Sequence, residues 1–231
     1  DLADRKHQCD ILLDQTFGRQ QEDYSGFTTK GCELLLGSKY ALLRPEFSKW
    51  RPYSLKRRGK PEFKQLLINM GGVDVNNITE NVLDELKLCN LPNDTNITIV
   101  MGGSAPHLES VKSKAITLLY KTEVKVDVDN MAEIMANTDI AIGAAGATTW
   151  ERCCLGLPTI QIVIAENQLF SAEVLACHNI VKLAKEIKET TYLLESSSEW
   201  MKSIGSSALK ICDGMGSYKV FNKMADYKVI L

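Results

Sequence analysis

The stretch AIGAAGATTWERCCLGLPTIQIVIAENQ, from Ala141 to Gln168, contains two apolar runs on either side of a segment with helical spacing. The first run, DIAIGA (139–144), and the second, PTIQIVIA (158–165), have the length of buried strands, whereas TTWERCCLGL (148–157) has the apolar spacing of a helix. A strand, a helix and another buried strand in this order form a βαβ unit with parallel strands. The stretch therefore predicts a parallel sheet that helices cover.

The same alternation of apolar runs and amphipathic segments extends through most of the chain. Two helical segments, at about 196–212 and 216–226, follow the last strand. Between intervening helices, we predict further strands at 63–70, 96–101, 124–128 and 180–184. These elements predict an α/β fold with a doubly wound parallel sheet and helices on both of its faces.

The first 59 residues have fewer regular elements. One buried strand, CDILLDQT (9–16), precedes a turn-rich segment with four glycines. The basic run KRRGK (56–60) has no interleaved aromatic residue, and we interpret it as a solvated linker. We therefore predict that residues 1–59 are the end of an N-terminal domain with an interdomain connection, and that residues 60–231 form a C-terminal domain. Because the chain opens without Met in a polar stretch, we expect it to be a piece of a longer protein.

The composition argues against several classes of partner. With 27 basic and 29 acidic residues the net charge is −2, which favours neither a nucleic acid nor an acidic membrane. No window approaches the roughly 18 uninterrupted apolar residues of a membrane helix, and the charged start is unlike a signal peptide. We therefore expect a cytoplasmic protein, and we expect it to be a monomer. The seven cysteines are odd in number and include no C-x-x-C pair, so we expect them to be reduced. The three histidines and seven cysteines show no metal-ligand spacing, so neither a metal nor a cofactor is expected.

Five small residues, Gly143 to Ala147, stand between the strand DIAIGA and the helix after it. We interpret them as clearance for a bulky anion, with Ala144 to Ala147 forming the turn on the ligand side of the sheet. The unpaired amides of the first helical turn, near Ala147, Thr148 and Thr149, would point at that anion, and the helix dipole would attract it. A diphosphate fits this arrangement.

Glu151 lies about one turn into this helix, where its carboxylate could accept hydrogen bonds from the two hydroxyls of a ribose. Alternatively, Glu151 only stabilises the helix N-terminus through the dipole. The sequence contains neither G-x-G-x-x-G nor G-x-x-x-x-G-K-[ST], so neither a dinucleotide fingerprint nor a P-loop is supported. A sugar nucleotide is the better candidate ligand.

Two other features lie where strands are predicted to end. The pairs Gly71-Gly72 and Gly102-Gly103 each follow a strand, at the edge where open α/β sheets bind ligands, although glycine is also common in any such turn. Past the next strand, Asn167 either caps a helix or holds a water or a sugar hydroxyl with its amide. Both features leave a purely structural alternative open.

Several longer segments together are more specific than any one of these motifs. They are LADRKHQCDILLDQTFGR (2–19), GCELLLGSKYALLRPEF (31–47), NMGGVDVNNIT (69–79), GAAGATTWERCCLGLPTIQIVIAENQ (143–168) and DGMGSYKV (213–220). With them the chain resembles, over essentially its whole length, the UDP-sugar hydrolases of pseudaminic acid biosynthesis, the PseG family. That family looks like the MurG-type glycosyltransferases. The resemblance therefore implies a Rossmann-like C-terminal domain of a GT-B architecture, which holds UDP.

The resemblance also implies roles for particular residues. The small-residue turn, Gly146, Ala147 and Thr148, would hold the pyrophosphate, and Glu151 would bind the ribose. Asn167, as a catalytic residue, would help to position the hydrolytic water. The other implied substrate-binding residues face the uracil or line the cleft, and they are Val126, Val128, Met131, Gly71, Gly72 and Gln168.

The implied activity is the removal of UDP from a 2,4-diacetamido-2,4,6-trideoxy altrose, so the expected ligands are UDP and a UDP-linked amino sugar. The catalytic histidine of the family lies in a G-x-G-H-x-x-R segment, which this sequence does not contain. We therefore expect a C-terminal fragment that binds nucleotide and does not catalyse the reaction by itself. A MurG-like glycosyltransferase and a noncatalytic UDP-binding module are the alternatives.

Overall fold

The computed structural model describes residues 3–229, and the side chains of residues 3–226. The strands in this part of the chain are β1 (Ile11–Asp14), β2 (Glu33–Leu36), β3 (Gln65–Asn69), β4 (Asn96–Met101), β5 (Lys121–Val126), β6 (Ile140–Ala144), β7 (Thr159–Ile162) and β8 (Lys182–Ala184). A small parallel sheet pairs β1 with β2, and a six-stranded sheet contains the other strands.

The large sheet has the strand order β5-β4-β3-β6-β7-β8, and all neighbouring strands are parallel. The chain runs outward from β3 to β5, returns to the middle of the sheet, and runs outward again from β6 to β8. The order therefore reverses between β3 and β6, which makes this pair the topological switch point, where doubly wound sheets bind ligands. The predicted doubly wound α/β fold is confirmed.

Helices cover both faces of this sheet. They are α1 (Pro45–Arg57), α2 (Ile78–Leu86), α3 (Leu108–Ala115), α4 (Met131–Ala136), α5 (Thr148–Cys154), α6 (Leu169–Cys177), α7 (Glu189–Glu195), α8 (Ser197–Ile211) and α9 (Gly216–Val229). The apolar side chains of α2, α3 and α7 enter one core, and those of α1, α4, α5 and α6 enter a second core on the opposite face. Residues of α8 contribute to both cores.

Side chains alternate between the two faces along each central strand. In β3, Leu66 belongs to the core with α2 and α3, whereas Leu67 belongs to the core with α4 and α5. Asn69 follows Leu67 by two positions and therefore lies on the α5 face. The register pairs Asn69 with Gly143 of β6, and Gly143 with Gln161 of β7. Two polar side chains with a glycine between them thus cross the carboxyl end of the sheet under α5.

Helix α1 is the main departure from the predicted elements. Residues 45–57 were expected to belong to a turn-rich connection, yet they form a helix that begins with Pro45 and buries Phe47. Proline is favourable at the first helical position, and basic residues in the last turn suit the helix dipole. Two other elements were not predicted, β2 and α7. Strand β5 begins before its predicted range because, as a partly exposed edge strand, it lacks a continuous apolar run.

Arg58 connects the end of α1 to the rest of the domain. Its guanidinium donates hydrogen bonds to the carbonyls of Met135, Thr138 and Leu155, at 3.0, 2.8 and 3.0 Å. The last carbonyls of a helix have no partner within that helix, and here the arginine provides one for the ends of α4 and α5. Arg57 also contacts Asp139 at 2.6 Å. The interpretation of the basic run as a solvated linker is therefore wrong for its two arginines.

Candidate functional site

The crevice at the switch point lies between the loops that follow β3 and β6. Gly71, with a φ of +93°, and the exposed Gly72 form the β3 side. The amide of Gly102 donates to the carbonyl of Gly72, so the loops after β3 and β4 contact each other. Both glycine pairs of the sequence therefore lie at the carboxyl edge of the sheet.

The turn after β6 is shorter than the sequence indicated. Gly143 and Ala144 are buried residues of β6, so only residues 145–147 separate the strand from α5. A Cβ atom on Gly146 would meet only Nε2 of Gln168, at 3.9 Å, so the backbone is open there. The interpretation of Gly143 and Ala144 as part of the clearance for a ligand is wrong.

Some amides of this turn already have partners. The amide of Thr149 donates to the carbonyl of Gly146 at 3.0 Å, and that of Trp150 donates to Ala147 at 3.1 Å. Thr149 was expected to offer a free amide and does not. Among the hydrogen bonds of the described residues, none uses the amide of Gly146, Ala147 or Thr148. These three amides, at the start of a seven-residue helix, are the donors available to an anion.

Glu151 is a largely buried carboxylate at the fourth position of α5. Its side chain is 16% exposed, and its Oε1 lies 3.9 Å from Nη2 of Arg44, a residue that sequence analysis did not identify. Burial raises the pKa of Glu151, while the charges of Arg44 and Arg152 lower it in part. Arg44 makes a closer contact with Glu46, at 3.0 Å. The Glu151 carboxylate therefore retains oxygen lone pairs that can accept hydrogen bonds from hydroxyl groups.

Asn167 and Gln168 belong to a 3-10 helix, Glu166–Gln168, which follows β7. The Oε1 atom of Gln168 accepts a hydrogen bond of 3.1 Å from the amide of Ile164. Asn167 is exposed, and its side chain caps neither this 3-10 helix nor α6. The structural alternative for Asn167, a helix cap, is therefore wrong, and its predicted place beside the sugar stays a prediction.

The residues assigned to the uracil lie at the end of β5 and the start of α4. Val126 is the last residue of β5, and Met131 is the first residue of α4. Val128 and Met131 pack in the same core as Trp150 of α5. Strand β5 lies three strand spacings from β6, which is about 14 Å at about 4.8 Å per spacing. The predicted site residues are therefore distributed along one edge of the sheet, and not gathered at one point.

Arg152 is a residue of this region that sequence analysis missed. Its side chain is 1% exposed, and its Nη2 atom donates a hydrogen bond of 2.7 Å to the carbonyl of Ala144. The sequence offers one signal, a charged residue within the apolar segment TTWERCCLGL, but helical spacing alone does not show that Arg152 is buried. Arginine is rarely fully buried without a specific partner.

A separate cavity of about 390 Å³ opens at the opposite edge of the sheet, where β3 and β6 begin. Three charged groups in its wall already have partners, since Arg57 contacts Asp139 and Arg58 binds three carbonyls. In the described part of the chain, no three acidic, histidine or cysteine side chains are grouped as metal ligands. None of the described helices is long and apolar enough to cross a bilayer. The candidate site is therefore the crevice at the switch point.

The fold and the crevice together define the class of protein, an α/β domain with a doubly wound parallel sheet, a fold in which ligands bind at the carboxyl edge of the strands. More particularly, the chain belongs to the family of the glycosyltransferase family 28 C-terminal domain, which matches residues 66–203. This range extends from β3 into α8 and so includes both sides of the crevice.

Two curated relatives are similar to this chain. The UDP-2,4-diacetamido-2,4,6-trideoxy-beta-L-altropyranose hydrolase of Campylobacter jejuni is 28% identical over 172 residues, which cover 74% of this chain and 59% of that protein. The UDP-N-acetylglucosamine–N-acetylmuramyl-(pentapeptide) pyrophosphoryl-undecaprenol N-acetylglucosamine transferase of Helicobacter pylori is 33% identical over 110 residues, 46% of this chain and 30% of that protein. Among the curated relatives, the match spans from 30% to 59% of their length.

A solved structure with the same fold is that of MurG from Acinetobacter baumannii. It superposes with a TM-score of 0.72 at 16% sequence identity, and the match covers 94% of this chain and 66% of that one. At this identity the likeness shows the fold, which is that of a Rossmann-like C-terminal domain in a GT-B architecture. The GT-B part of the fold prediction is thereby confirmed.

Proposed function

We propose that this chain binds the UDP part of a UDP-linked amino sugar, and that the whole protein releases UDP from a 2,4-diacetamido-2,4,6-trideoxyhexose by hydrolysis. One observation carries the proposal. Three amides without partners follow β6, across the switch point from the glycine loop after β3, and the Glu151 carboxylate lies one turn further along α5. Free amides suit a diphosphate, and a carboxylate suits the hydroxyls of a ribose.

Each predicted residue then has a defined role. The amides of Gly146, Ala147 and Thr148 donate to oxygens of the pyrophosphate, and Glu151 accepts hydrogen bonds from the ribose. The uracil lies at the far end of the crevice, and the sugar lies toward its open side. The remaining ligand contacts in this proposal are Val126, Val128 and Met131 for the base, and Gly71, Gly72 and Gln168 for the sugar side.

Hydrolysis requires a water and a stabilised leaving group. Water attacks the anomeric carbon, the bond from that carbon to the phosphate oxygen breaks with inversion, and UDP leaves with the bonding electrons. The turn amides stabilise the charge that grows on the departing diphosphate. Asn167, which is exposed in the 3-10 helix after β7, orients the water. The general base is assigned by resemblance to a histidine in a segment that this sequence does not contain, so hydrolysis is proposed for the whole protein.

The choice of hydrolysis over transfer rests on extent of similarity. The relative named as a hydrolase matches 74% of this chain, whereas the relative named as a transferase matches 46%. Transfer of the sugar to an acceptor is the second candidate, and the 33% identity to that transferase favours it. The same donor site serves both reactions, because they differ in whether water or an acceptor hydroxyl attacks. A UDP-binding module without catalysis is the third candidate.

Isothermal titration of the chain with UDP tests the binding step. We expect saturable binding, and Glu151→Gln should weaken it by about 1–3 kcal/mol because a charge-assisted hydrogen bond is lost. Glu109→Gln is the matched control, since Glu109 is an exposed residue in the first turn of α3, and UDP affinity should not change. An unchanged affinity for UDP in Glu151→Gln would indicate that Glu151 only stabilises the N-terminus of α5 through the helix dipole. Absence of saturable binding would count against all three candidates.

The reaction itself is tested with the whole protein as its organism makes it. UDP release from the UDP-linked diacetamido sugar is followed with and without added acceptor sugars. Hydrolysis predicts UDP and free sugar at the same rate in both conditions. If UDP release requires an acceptor and a new glycosidic product forms, the whole protein is a transferase and the proposal of a hydrolase is wrong. If the protein binds UDP but releases none from the UDP-linked sugar, the result supports the third candidate, a UDP-binding module without catalysis.

A further inference from the structure

The guanidinium of Arg152 occupies the space directly under the turn that we assign to the diphosphate. A Cβ atom on Gly143 would lie 2.1 Å from Nη1 of Arg152 and 3.1 Å from the carbonyl oxygen of Asn69. Gly143 therefore lacks a side chain because the arginine lies over β6 at the switch point. The first small residue of the stretch provides room for Arg152 and not for the ligand.

Arg152 holds the turn through three hydrogen bonds. Its Nη2 atom donates to the carbonyl of Ala144 at 2.7 Å and to the hydroxyl of Thr149 at 3.1 Å. Its Nη1 atom donates to the hydroxyl of Thr148 at 3.3 Å. Gln161 donates a further bond of 2.7 Å to Thr149. The arginine thus connects the end of β6 to the first two residues of α5.

Among the ion pairs of the described residues none includes this buried cation, and the carboxylate of Glu151, its neighbour in sequence, contacts Arg44. The acceptors around Arg152 are neutral, a carbonyl and two hydroxyls. Its Nε atom has no partner, although the atom is fully buried. Burial lowers the pKa of Arg152, yet an arginine remains protonated at neutral pH. A positive charge that forms no ion pair therefore lies under the turn, and the Glu151 carboxylate attracts it only from beyond ion-pair distance.

Thr148 transmits this arrangement to the crevice. A hydroxyl group has one proton to donate, and its oxygen can accept hydrogen bonds from other donors. Because the oxygen of Thr148 accepts from Arg152, the hydroxyl proton points away from the arginine. Thr148 is partly exposed, and its amide is one of the three that have no partner. The residue therefore has two donors, its hydroxyl and its amide, that no hydrogen bond of the described residues uses.

We infer that Arg152 is a positioning residue for the phosphate groups of the ligand: it orients the Thr148 hydroxyl and places under the turn a positive charge that forms no ion pair. The inference rests on the proposed binding of UDP, and it concerns the diphosphate alone. A residue that only maintained the fold would affect the affinities for a charged and an uncharged ligand equally. Arg152 is expected to distinguish between them, because the charge of the ligand is what it stabilises.

The test compares UDP with uridine in the chain and in its variants, with affinities from NMR titrations that extend to the millimolar range. Arg152→Met removes the charge and should weaken UDP binding by about tenfold or more, the loss expected for a charge-assisted contact, while uridine affinity stays within about twofold. Arg152→Lys should recover part of the loss. Arg58→Met is the matched control, because it removes another enclosed arginine, and it should change neither affinity.

Equal losses for UDP and uridine in Arg152→Met, or an unchanged UDP affinity, would overturn the inference. Thr148→Val is a second test that does not depend on the folding of Arg152→Met, since it removes only the hydroxyl. It should weaken UDP binding severalfold and leave uridine unchanged, and an unchanged UDP affinity would also overturn the inference. If the unaltered chain does not bind UDP, the proposed function itself is wrong. This outcome can be distinguished from those above, because they concern only the variants.

Discussion

The amide of Gly102 donates a hydrogen bond of 2.9 Å to the carbonyl of Gly72, and this bond joins the loops after β4 and β3 beside the switch point. The approach leaves no room for a side chain, since a Cβ atom on Gly102 would lie 2.5 Å from the carbonyl oxygen of Gly72. Tightly packed backbone atoms cannot move aside as the end of a flexible side chain can. Gly102 therefore determines how closely these two loops approach.

Gly102→Ala is expected to separate the loops and to lower the free energy of unfolding by about 1–3 kcal/mol, the usual cost of overpacking. UDP affinity should fall as well, because Gly72 borders the crevice. Chemical denaturation and titration with UDP measure the two effects. Gly72→Ala is the matched control, since a Cβ atom there would meet nothing within 4 Å. Its stability should stay within about 0.5 kcal/mol of the original, and equal losses in both variants would contradict the prediction.

Arg58→Met should destabilise the domain, because it removes one hydrogen-bond donor from each of the carbonyls of Met135, Thr138 and Leu155. We expect the free energy of unfolding to fall by about 1–3 kcal/mol, as for other buried groups that lose a partner. Urea denaturation measures the change. Lys60→Met removes an exposed cation from the same basic run and should have little effect. A loss in Arg58→Met no larger than that in Lys60→Met would show that α1 does not depend on this contact.

The large sheet could be predicted from sequence because buried parallel strands have continuous apolar runs. Strands β3, β4, β6 and β7 each fall inside a predicted run, and the amphipathic segments between them are helices. The place of Gly146, Ala147 and Thr148 at a strand-to-helix turn followed from the same pattern. The strand order could not be predicted from the sequence, because it depends on which strands pair across the sheet and not on the composition of each strand.

The groups that sequence analysis missed depend on contacts between distant parts of the chain. Arg58 binds carbonyls that lie 77 to 97 residues away from it, so the run that contains it resembles any solvated basic segment. Arg44 likewise reaches Glu151 from the start of α1. Arg152 is close in sequence to the turn it supports, but its burial depends on Gly143 and on the sheet beneath. Helical spacing alone does not show which side of α5 has room for a guanidinium.

Cys177 should be the first cysteine to react with a thiol reagent. It is exposed at the end of α6, whereas burial raises the pKa of Cys89 to about 11 and that of Cys153 to about 12. Only the thiolate is nucleophilic, so buried thiols with raised pKa values react slowly. Maleimide labelling followed by peptide mass spectrometry measures the order of reaction. Cys177→Ser should remove the fast phase, and a fast phase that persists in this variant would contradict the prediction.

Glu151 should make the stability of the ligand-free protein depend on pH. Burial raises the pKa of this carboxyl above its ordinary value of 4.5, whereas the unfolded chain ionises near that value. The unfolded state therefore loses the proton first as the pH rises, and the native state is penalised for holding a buried charge. As the pH rises above 4.5, the free energy of unfolding of the original protein should fall relative to that of a variant without this carboxylate. Below pH 4.5 the free energies of unfolding of the two proteins should become similar.

Glu151→Gln is accordingly expected to be more stable than the original protein at pH 7, even though it binds UDP less tightly. The gain should shrink as the pH is lowered toward 4, where the carboxyl is protonated in both states. Denaturation of both proteins at pH 4, 5.5 and 7 measures it, and Glu109→Gln, at an exposed site, should show no such trend. A buried carboxylate that destabilises the ligand-free domain is typical of functional sites, where activity opposes stability. A variant that is less stable at pH 7, or a difference that does not vary with pH, would show that Arg44 compensates the Glu151 charge in full.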